Sequence, residues 1–436
     1  MTTPNEYINT VGKAFEMFEA SLNGSKSTFL HELRKESLAA VLKSGLPGPK
    51  HEEYRYTNFG KALEKNIAYQ GIVAETAAAS SPTPLDSFEG YKLYFVNGKL
   101  DASRSDLGDL SEKVTVTSLA SAVKEQGDLK EYLGSIVKSW PDAFSHLNTA
   151  FAKEGIFIRV KKNTVLDKPL YIIHSNDTSA TEMLAHYRNL AIVEEGAQLK
   201  VIEANFSTGA NTSYTNTVLE VFCKKNASVE WSKLQLENET ALRIDNSLVY
   251  QERDSKCIIN TVTLSGQMVR NNLYIALDDE NTEAHMYGLY LIDGKTHVDN
   301  HTSVDHRKPN SFSNELYKGI MDDQSHGVFN GKIFVRQDAQ KTNAFQQNNN
   351  ILLSPNAVIN TKPQLEIWAD DVKCSHGCTT GQLDNEQLFY LRARGISEDK
   401  AKAMLLHAFA GDVIANISVE PVREYLEQLI TDKIEN

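Results

Sequence analysis

Apolar and polar positions along the chain change rhythm twice. From Tyr7 to Leu22 apolar side chains fall at Ile8, Val11, Phe15, Phe18 and Leu22, close to the period of an amphipathic helix. A second helix is expected from Ser27 to Lys43, stopped by Gly45 and Pro47, and a third from Asn58 to Tyr69. AAASSPTPLDSFEG, residues 77–90, is rich in Pro, Ser and Ala and reads as a flexible linker or loop. KLYFVNGKL then reads as a strand ending in an Asn-Gly turn, a strong hairpin signal.

From about Gly155 to Val372 the rhythm shortens. Runs such as IFIRV, PLYIIH, LKVIEA, TVLEVFC, NLYIAL, GKIFV and PQLEIWA recur between Asn, Asp, Gly and Ser, with no amphipathic helix among them. So long a series of short strands argues for one all-β unit. A sandwich, a propeller and a parallel β-helix could each hold it. Two features favour the β-helix: there is no series of two-residue Asn-Gly or Asp-Gly turns, and Asn and Gly recur near the bends. In NNNILLSPNAVIN, stacked Asn side chains could form ladders between coils.

The helical rhythm then returns. Asp384 and Gln387 form a capping pattern before Leu388, Phe389 and Leu391, and Gly395 supplies a left-handed stop. Ser397 caps a second helix with Ala401, Met404, Leu405, Ala408 and Phe409 on one face. Pro421 opens a third, with Val422, Tyr425, Leu426, Leu429 and Ile430 at helical spacing. Three short amphipathic helices bury little alone, so they must dock on the β unit or on a partner. The expected organisation is a mostly helical region with a short β segment (1–150), a β core (151–375) and a helical C-terminal region (376–436).

A length of 436 residues suits two or three such units, and 41% hydrophobic with 23% charged residues is ordinary for a globular protein. The formal net charge of -12 disfavours nucleic acid and anionic membrane surfaces as partners. The start lacks the basic and continuous apolar regions of a secretory signal, and no run approaches the ~20 apolar residues of a membrane span. A cytoplasmic protein is expected. In that reducing compartment Cys223 and Cys257, set in apolar stretches, read as small core residues.

DDVKCSHGCTTGQLD holds Cys374, His376 and Cys378, after the last expected strand. Thiolate and imidazole bind iron or zinc, and three within five residues could share one ion, although the separated pairs of a structural zinc site are absent. The plainer alternative is a turn whose His caps backbone groups and whose Cys side chains pack. A second cluster, THVDNHTSVDH, carries His297, Asp299, His301, Asp305 and His306, and strand alternation puts His297, Asp299 and His301 on one face. A metal or acid–base site is weighed there against a solvated polar strand, which is preferred. The chain has no GxxxxGK[ST] loop, GxGxxG turn, GxSxG elbow or HExxH helix, so any ATP chemistry must come from another chain.

The stretch from Ser303 to Ile396, including NELYKGIMDDQSHGVFNGKIFVRQDAQKTNAFQQNNNILLSPNAVIN and WADDVKCSHGCTTG, resembles the core of the SufB/SufD family. GLPGPKHEEYRYTNF, LYFVNGKL, VTVTSLA and LNTAF resemble its N-terminal region, and CSHG is closer to the SufD branch, which usually has a small apolar residue where this chain has Cys378. The resemblance implies a right-handed parallel β-helix flanked by helical N- and C-terminal regions. It implies a non-catalytic scaffold for iron–sulfur cluster assembly, with a part in iron acquisition. SufB would pair with it through the β-helices, and the ABC-type ATPase SufC would dock on its C-terminal helices, through Leu388, Phe389, Leu391 and Arg392 and through Met404, Leu405 and Phe409. By the motif match His376, with Cys374 second, would serve a transient cluster or iron at the SufB interface, and the isolated chain would hold no cofactor. A homodimer is the alternative assembly. A metal-dependent hydrolase or a β-helix carbohydrate-active enzyme is the alternative function.

Overall fold

In the computed structural model, which describes residues 4–22, 28–67, 82–108, 110 and 113–435, the short strands alternate between two sheets. One sheet takes β5 (Leu170–Asp177), β7 (Gln198–Thr208), β9 (Ser228–Leu236), β11 (Lys256–Thr263), β13 (Glu283–Ile292), β15 (Phe312–Met321), β17 (Asn343–Leu352) and β19 (Lys373–Gly381). The other takes β4 (Ile156–Val160), β6 (Met183–Val193), β8 (Ser213–Cys223), β10 (Ala241–Gln251), β12 (Met268–Leu277), β14 (His297–His306), β16 (His326–Val335) and β18 (Val358–Ile367). Neighbours pair in parallel and in register, as β14 does with β12 and β16. The chain therefore winds as a parallel β-helix, as expected.

The recurring Asn and Gly mark its corners. Gly196, Asn226, Asp254, Asn281 and Asn310 adopt positive φ, which Gly, Asn and Asp tolerate best. Each donates its backbone N–H to a carbonyl of the next coil, for example Asn226 N to Arg253 O at 2.9 Å and Asn310 N to Gln340 O at 2.9 Å. The ladder at the corners is thus made mainly by backbone, with a side-chain rung from Asn281 Nδ2 to Asp254 Oδ1 at 3.1 Å. Asn348 and Asn350, expected to stack between coils, instead bond each other (2.7 Å) and the Tyr290 hydroxyl inside the solenoid. A side-chain step between coils does occur at Asn271 Nδ2 to Asn300 Oδ1, 3.0 Å.

Period-two alternation sends one set of side chains inward, where Leu219, Trp231, Ile259, Ile275, Met286 and Phe329 form the core with Cys223 and Cys257. The two thiols face each other, and that hydrogen bond together with burial pushes the Cys223 thiol well up. The outer faces are apolar too, and helices cover them. Helices α1 (Pro4–Ala20), α2 (Phe29–Ser44) and α3 (Phe59–Asn66) pack with α7 (Ala143–Ala150) on β6, β8 and β10. The short helices α4 (Leu119–Glu125), α5 (Leu129–Tyr132) and α6 (Ser135–Ser139) extend that layer. On the opposite sheet lie α9 (Glu398–Ile414) and α10 (Glu420–Glu435), anchored by Leu406, Val413, Val422, Leu426 and Ile430. Among the described residues no helix is long and apolar enough to cross a membrane.

The solenoid's two ends differ. The Asn97-Gly98 turn, with both residues at positive φ, joins β1 (Tyr91–Val96) to β2 (Lys99–Asp106), and this hairpin extends one sheet beyond β5. β3 (Val114–Ser118) closes the other sheet, antiparallel to β4. At the far end β18 and β19 are the terminal strands of their sheets.

Three expectations are corrected. Residues 83–90 are packed and do not form a flexible linker: Thr83 and Asp86 cap a 3₁₀ turn, Leu85 is fully buried, and Asp86 accepts from Tyr94 (2.8 Å) and Arg104 (2.6 Å). Positions 77–81 of that expectation, and the end of the third helix, lie outside the described residues. The Cys374–Cys378 segment does not follow the last strand; it is the last strand, because β17 offers it a complete in-register edge. On α9 the buried face is Ala401, Ala403, Leu406, Ala410 and Val413, so Met404 and Ala408 point to solvent.

Candidate functional site

β19 pairs with β17 in register, placing Cys374 beside Ala344, His376 beside Gln346 and Cys378 beside Asn348. Because Ala344, Gln346 and Asn348 are interior residues, alternation turns Cys374, His376 and Cys378 toward the solenoid axis. No further coil covers them, so His376 and Cys378 are exposed. Along a strand, residues two apart are separated by roughly 6.6 Å, which leaves Cys374 and Cys378 about 13 Å apart. They cannot converge on one ion, and among the described residues no three His, Cys, Asp or Glu side chains do so. Cys374 leans on Ile333, Val335, Ala339 and Ala369, and burial pushes its thiol up, away from the thiolate that binds metal. Cys378 donates its thiol to Thr361 Oγ1 across the coil at 3.5 Å. His376 is left as the accessible nitrogen donor of the row.

Around this end apolar groups remain uncovered. Val358, Ile367 and Trp368 are each at least 40% exposed, and Phe345 and Leu353 nearly so. Trp368 stacks on Phe334, with the Arg336 guanidinium 5.2 Å from both rings. Clustered apolar exposure of this kind marks interaction surfaces.

The second cluster is buried, not solvated. On the outer face of β14, His297, Asp299 and His301 grip residues 53–57 of the HEEYRYTNF segment (51–59), which leads from α2 into α3. Thr57 Oγ1 donates to Asp299 Oδ2 and lies 2.8 Å from His297 Nε2, which must therefore be the donor of that pair. His301 bridges Asp299 (3.1 Å) and Glu53 (3.2 Å). Arg270 reaches Asp299 Oδ2 at 2.6 Å and the Glu53 carbonyl at 2.7 Å, and Lys332 pairs with the Glu53 carboxylate. Hydrogen bonding from His301, opposed by burial, holds the Glu53 carboxyl down at about 2. Burial lowers His297 to about 4, so it is neutral at pH 7. Asp305 belongs to a separate pairing with Arg307 (2.9 Å) and Arg336 (2.7 Å). His306 points inward to Ser311 and Ser313 at 2.7 and 2.8 Å, and burial lowers it to about 3. His297, Asp299, His301, Arg270 and Lys332 are thus engaged in holding Glu53 and Thr57, and with them the N-terminal region, to the solenoid.

The third feature is α8 (Asn385–Ala393), capped by Asp384, which accepts from Glu386 N at 2.8 Å. None of its residues is buried; Phe389 is 74% exposed and Tyr390 58%. Leu388 and Leu391 are half-buried, and Arg392 is exposed and paired to Glu398 at 3.2 Å. On α9, Met404 is exposed and Leu405 half-buried. Phe409 packs on its own solenoid under the Lys318 ammonium, 4.3 Å from the ring centre. Sequence reasoning missed Glu315, Gln346, Glu53 and Thr57. The signal that could have found the first two is the in-register repeat of successive coils, which stacks Glu315, Gln346 and His376 in one column.

Comparison with known proteins agrees with this anatomy. The family model for the SufBD core domain of SUF system FeS cluster assembly matches residues 174–409, and the model for the SufBD N-terminal region matches 2–172. An iron–sulfur cluster assembly SufBD family protein of Synechocystis is 30% identical over 95% of this chain and 93% of its own. The iron–sulfur cluster assembly protein SufD of Escherichia coli is 31% identical over 89% of this chain and 90% of its own. SufD of Bacillus subtilis is 25% identical over 93% and 94%.

Proposed function

The chain belongs to the SufBD family of the SUF iron–sulfur cluster assembly system, and on that premise we propose that it is a non-catalytic scaffold subunit whose open solenoid end pairs with SufB. The observation that carries the reading is β19 itself. It is an unpaired strand edge that presents His376 on a terminal coil ringed by exposed Val358, Ile367 and Trp368. A strand edge of this kind is a template for another chain's strand.

The nascent cluster or its iron is cargo in this reading. His376 supplies one nitrogen donor, Cys374 stands second, and SufB contributes the remaining ligands. Cys374 reaches the role only once its thiol leaves the apolar packing that holds it protonated. The exposed face of α8, with Phe389 and Arg392, and Met404 on α9 form the dock for the SufC ATPase, whose ATP-driven movement rearranges the pair. A share in iron acquisition and a cytoplasmic location complete the proposal.

Anaerobic co-expression with SufB and SufC tests it. The expected product is a complex of all three. SufC is lost when residues 384–436 are deleted, and iron and sulfide content falls in His376→Ala. A chain that purifies alone beside both partners, with metal of its own, would overturn the proposal.

A further inference from the structure

His376 stands at the end of a polar column that runs into the solenoid. β15, β17 and β19 pair in register, so Glu315, Gln346 and His376 are neighbours in that order, all facing the axis. Gln346 Nε2 donates to Glu315 Oε2 at 2.7 Å, deep in the interior. Burial raises the Glu315 carboxyl to about 7. Ionised, above that value, Glu315 only accepts and so holds the NH2 arm of the amide on its own side. Gln346 Oε1 is buried and has no partner in the protein. The room for this side chain comes from the opposite sheet: a β-carbon at Gly331 would lie 2.3 Å from Gln346 Nε2.

On the side of Gln346 away from Glu315, its in-register neighbour is the imidazole of His376. We propose that Gln346, oriented by Glu315, is a positioning residue for His376. Its Oε1 accepts one imidazole N–H, a bond that the exposed ring reaches by rotation about its own side-chain torsions. A neutral imidazole carries one N–H and one lone pair. Fixing the N–H toward Gln346 therefore fixes the tautomer and turns the lone pair outward to iron. The inference rests on the reading of His376 as an iron donor, and Gly331 is the residue that makes the arrangement sterically possible.

The test reads the tautomer directly, above about pH 8 where Glu315 is ionised, in the full chain without iron or partners. Long-range 1H–15N correlation spectra of histidine-labelled protein report the tautomer of each imidazole, and His376→Ala assigns the signal. A single tautomer is expected for His376 in the unaltered chain. A mixture is expected in Gln346→Met, which keeps the volume and removes the amide. The same mixture is expected in Gly331→Ala, which displaces Gln346 without changing it. The remaining histidine signals show whether each variant is folded. A mixed tautomer in the unaltered chain overturns the proposal without any variant. So does a single tautomer that persists in both variants. Cluster yield in His376→Ala is a separate measurement. If it stays normal, the iron-donor reading fails while the positioning of the ring by Gln346 still stands or falls on the spectra.

Discussion

Thr57 is the keystone of the contact between the HEEYRYTNF segment and the solenoid, and replacing it by Val removes one hydroxyl while keeping the shape. Thr57 is fully buried, accepts from His297 Nε2 at 2.8 Å, and donates to Asp299. In Thr57→Val the neutral His297 keeps an N–H with no acceptor, an orphaned donor that costs about 1–3 kcal/mol. Asp299 loses one charge-assisted bond but keeps Arg270 at 2.6 Å and His301 at 3.1 Å, so that loss falls toward the lower end, about 1 kcal/mol. Together they predict about 2–4 kcal/mol of destabilisation. Thr57→Ser keeps both bonds and gives up one methyl, about 1 kcal/mol. Urea unfolding gives the global value. Hydrogen exchange of peptides spanning residues 52–67 gives the local one, where about 1.4 kcal/mol is a tenfold loss of protection. If Thr57→Val lies within about 0.5 kcal/mol of the unaltered chain, or Thr57→Ser costs as much as Thr57→Val, the polar account of this contact is wrong.

Acid should weaken the fold well above the usual carboxylate range. Burial lowers His186, His297 and His306 to about 3, 4 and 3, whereas it raises Glu315 to about 7. Between about pH 6.5 and 4.5 the unfolded chain takes up roughly three protons more at the histidines, and the folded chain roughly one more at Glu315. The net of about two predicts a loss on the order of 3 kcal/mol per pH unit as pH falls, and urea midpoints unchanged between pH 7 and 5.5 would contradict it. Gly319→Ala should cost about 1–3 kcal/mol, because its β-carbon would sit 2.3 Å from the Tyr290 ring, while Gly377→Ala, with open space, should be neutral; equal melting temperatures for the two would refute the packing argument. Phe389→Ser should leave stability within about 0.5 kcal/mol of the unaltered chain but reduce recovery of SufC in co-purification. Undiminished recovery would put the ATPase elsewhere.

Much of the architecture was legible because each element obeys a local rule. The helical periods at both ends, the Asn97-Gly98 hairpin and the change to short strands all correspond to elements of the fold. The parallel winding was harder to read, since its coils are held by backbone pairing that leaves no fixed residue pattern beyond Asn, Asp or Gly at the corners. Two errors share one cause. CSHGC looks like a turn because Gly and Ser weaken strand propensity, and β17 overrides that weakness by offering a full edge. Similarly, α9 is apolar on more than one side, so periodicity alone did not tell that Leu406 and Val413 face the solenoid while Met404 does not. The histidine cluster of β14 was visible as chemistry, but its partners Glu53 and Thr57 lie more than two hundred residues away and no spacing rule connects them.

The inequality of the two solenoid ends limits what kind of polymer this chain can enter. At the hairpin end the edge of one sheet is guarded, since β2 carries Lys99, Asp101, Arg104 and Asp106 and breaks register with β1. At the other end β18 and β19 remain open to addition. If pairing takes place at the β18–β19 end, a charged and irregular β2 edge at the other end works against repeating the contact, so the chain is better suited to a closed pair than to the fibres that stacked β structures risk.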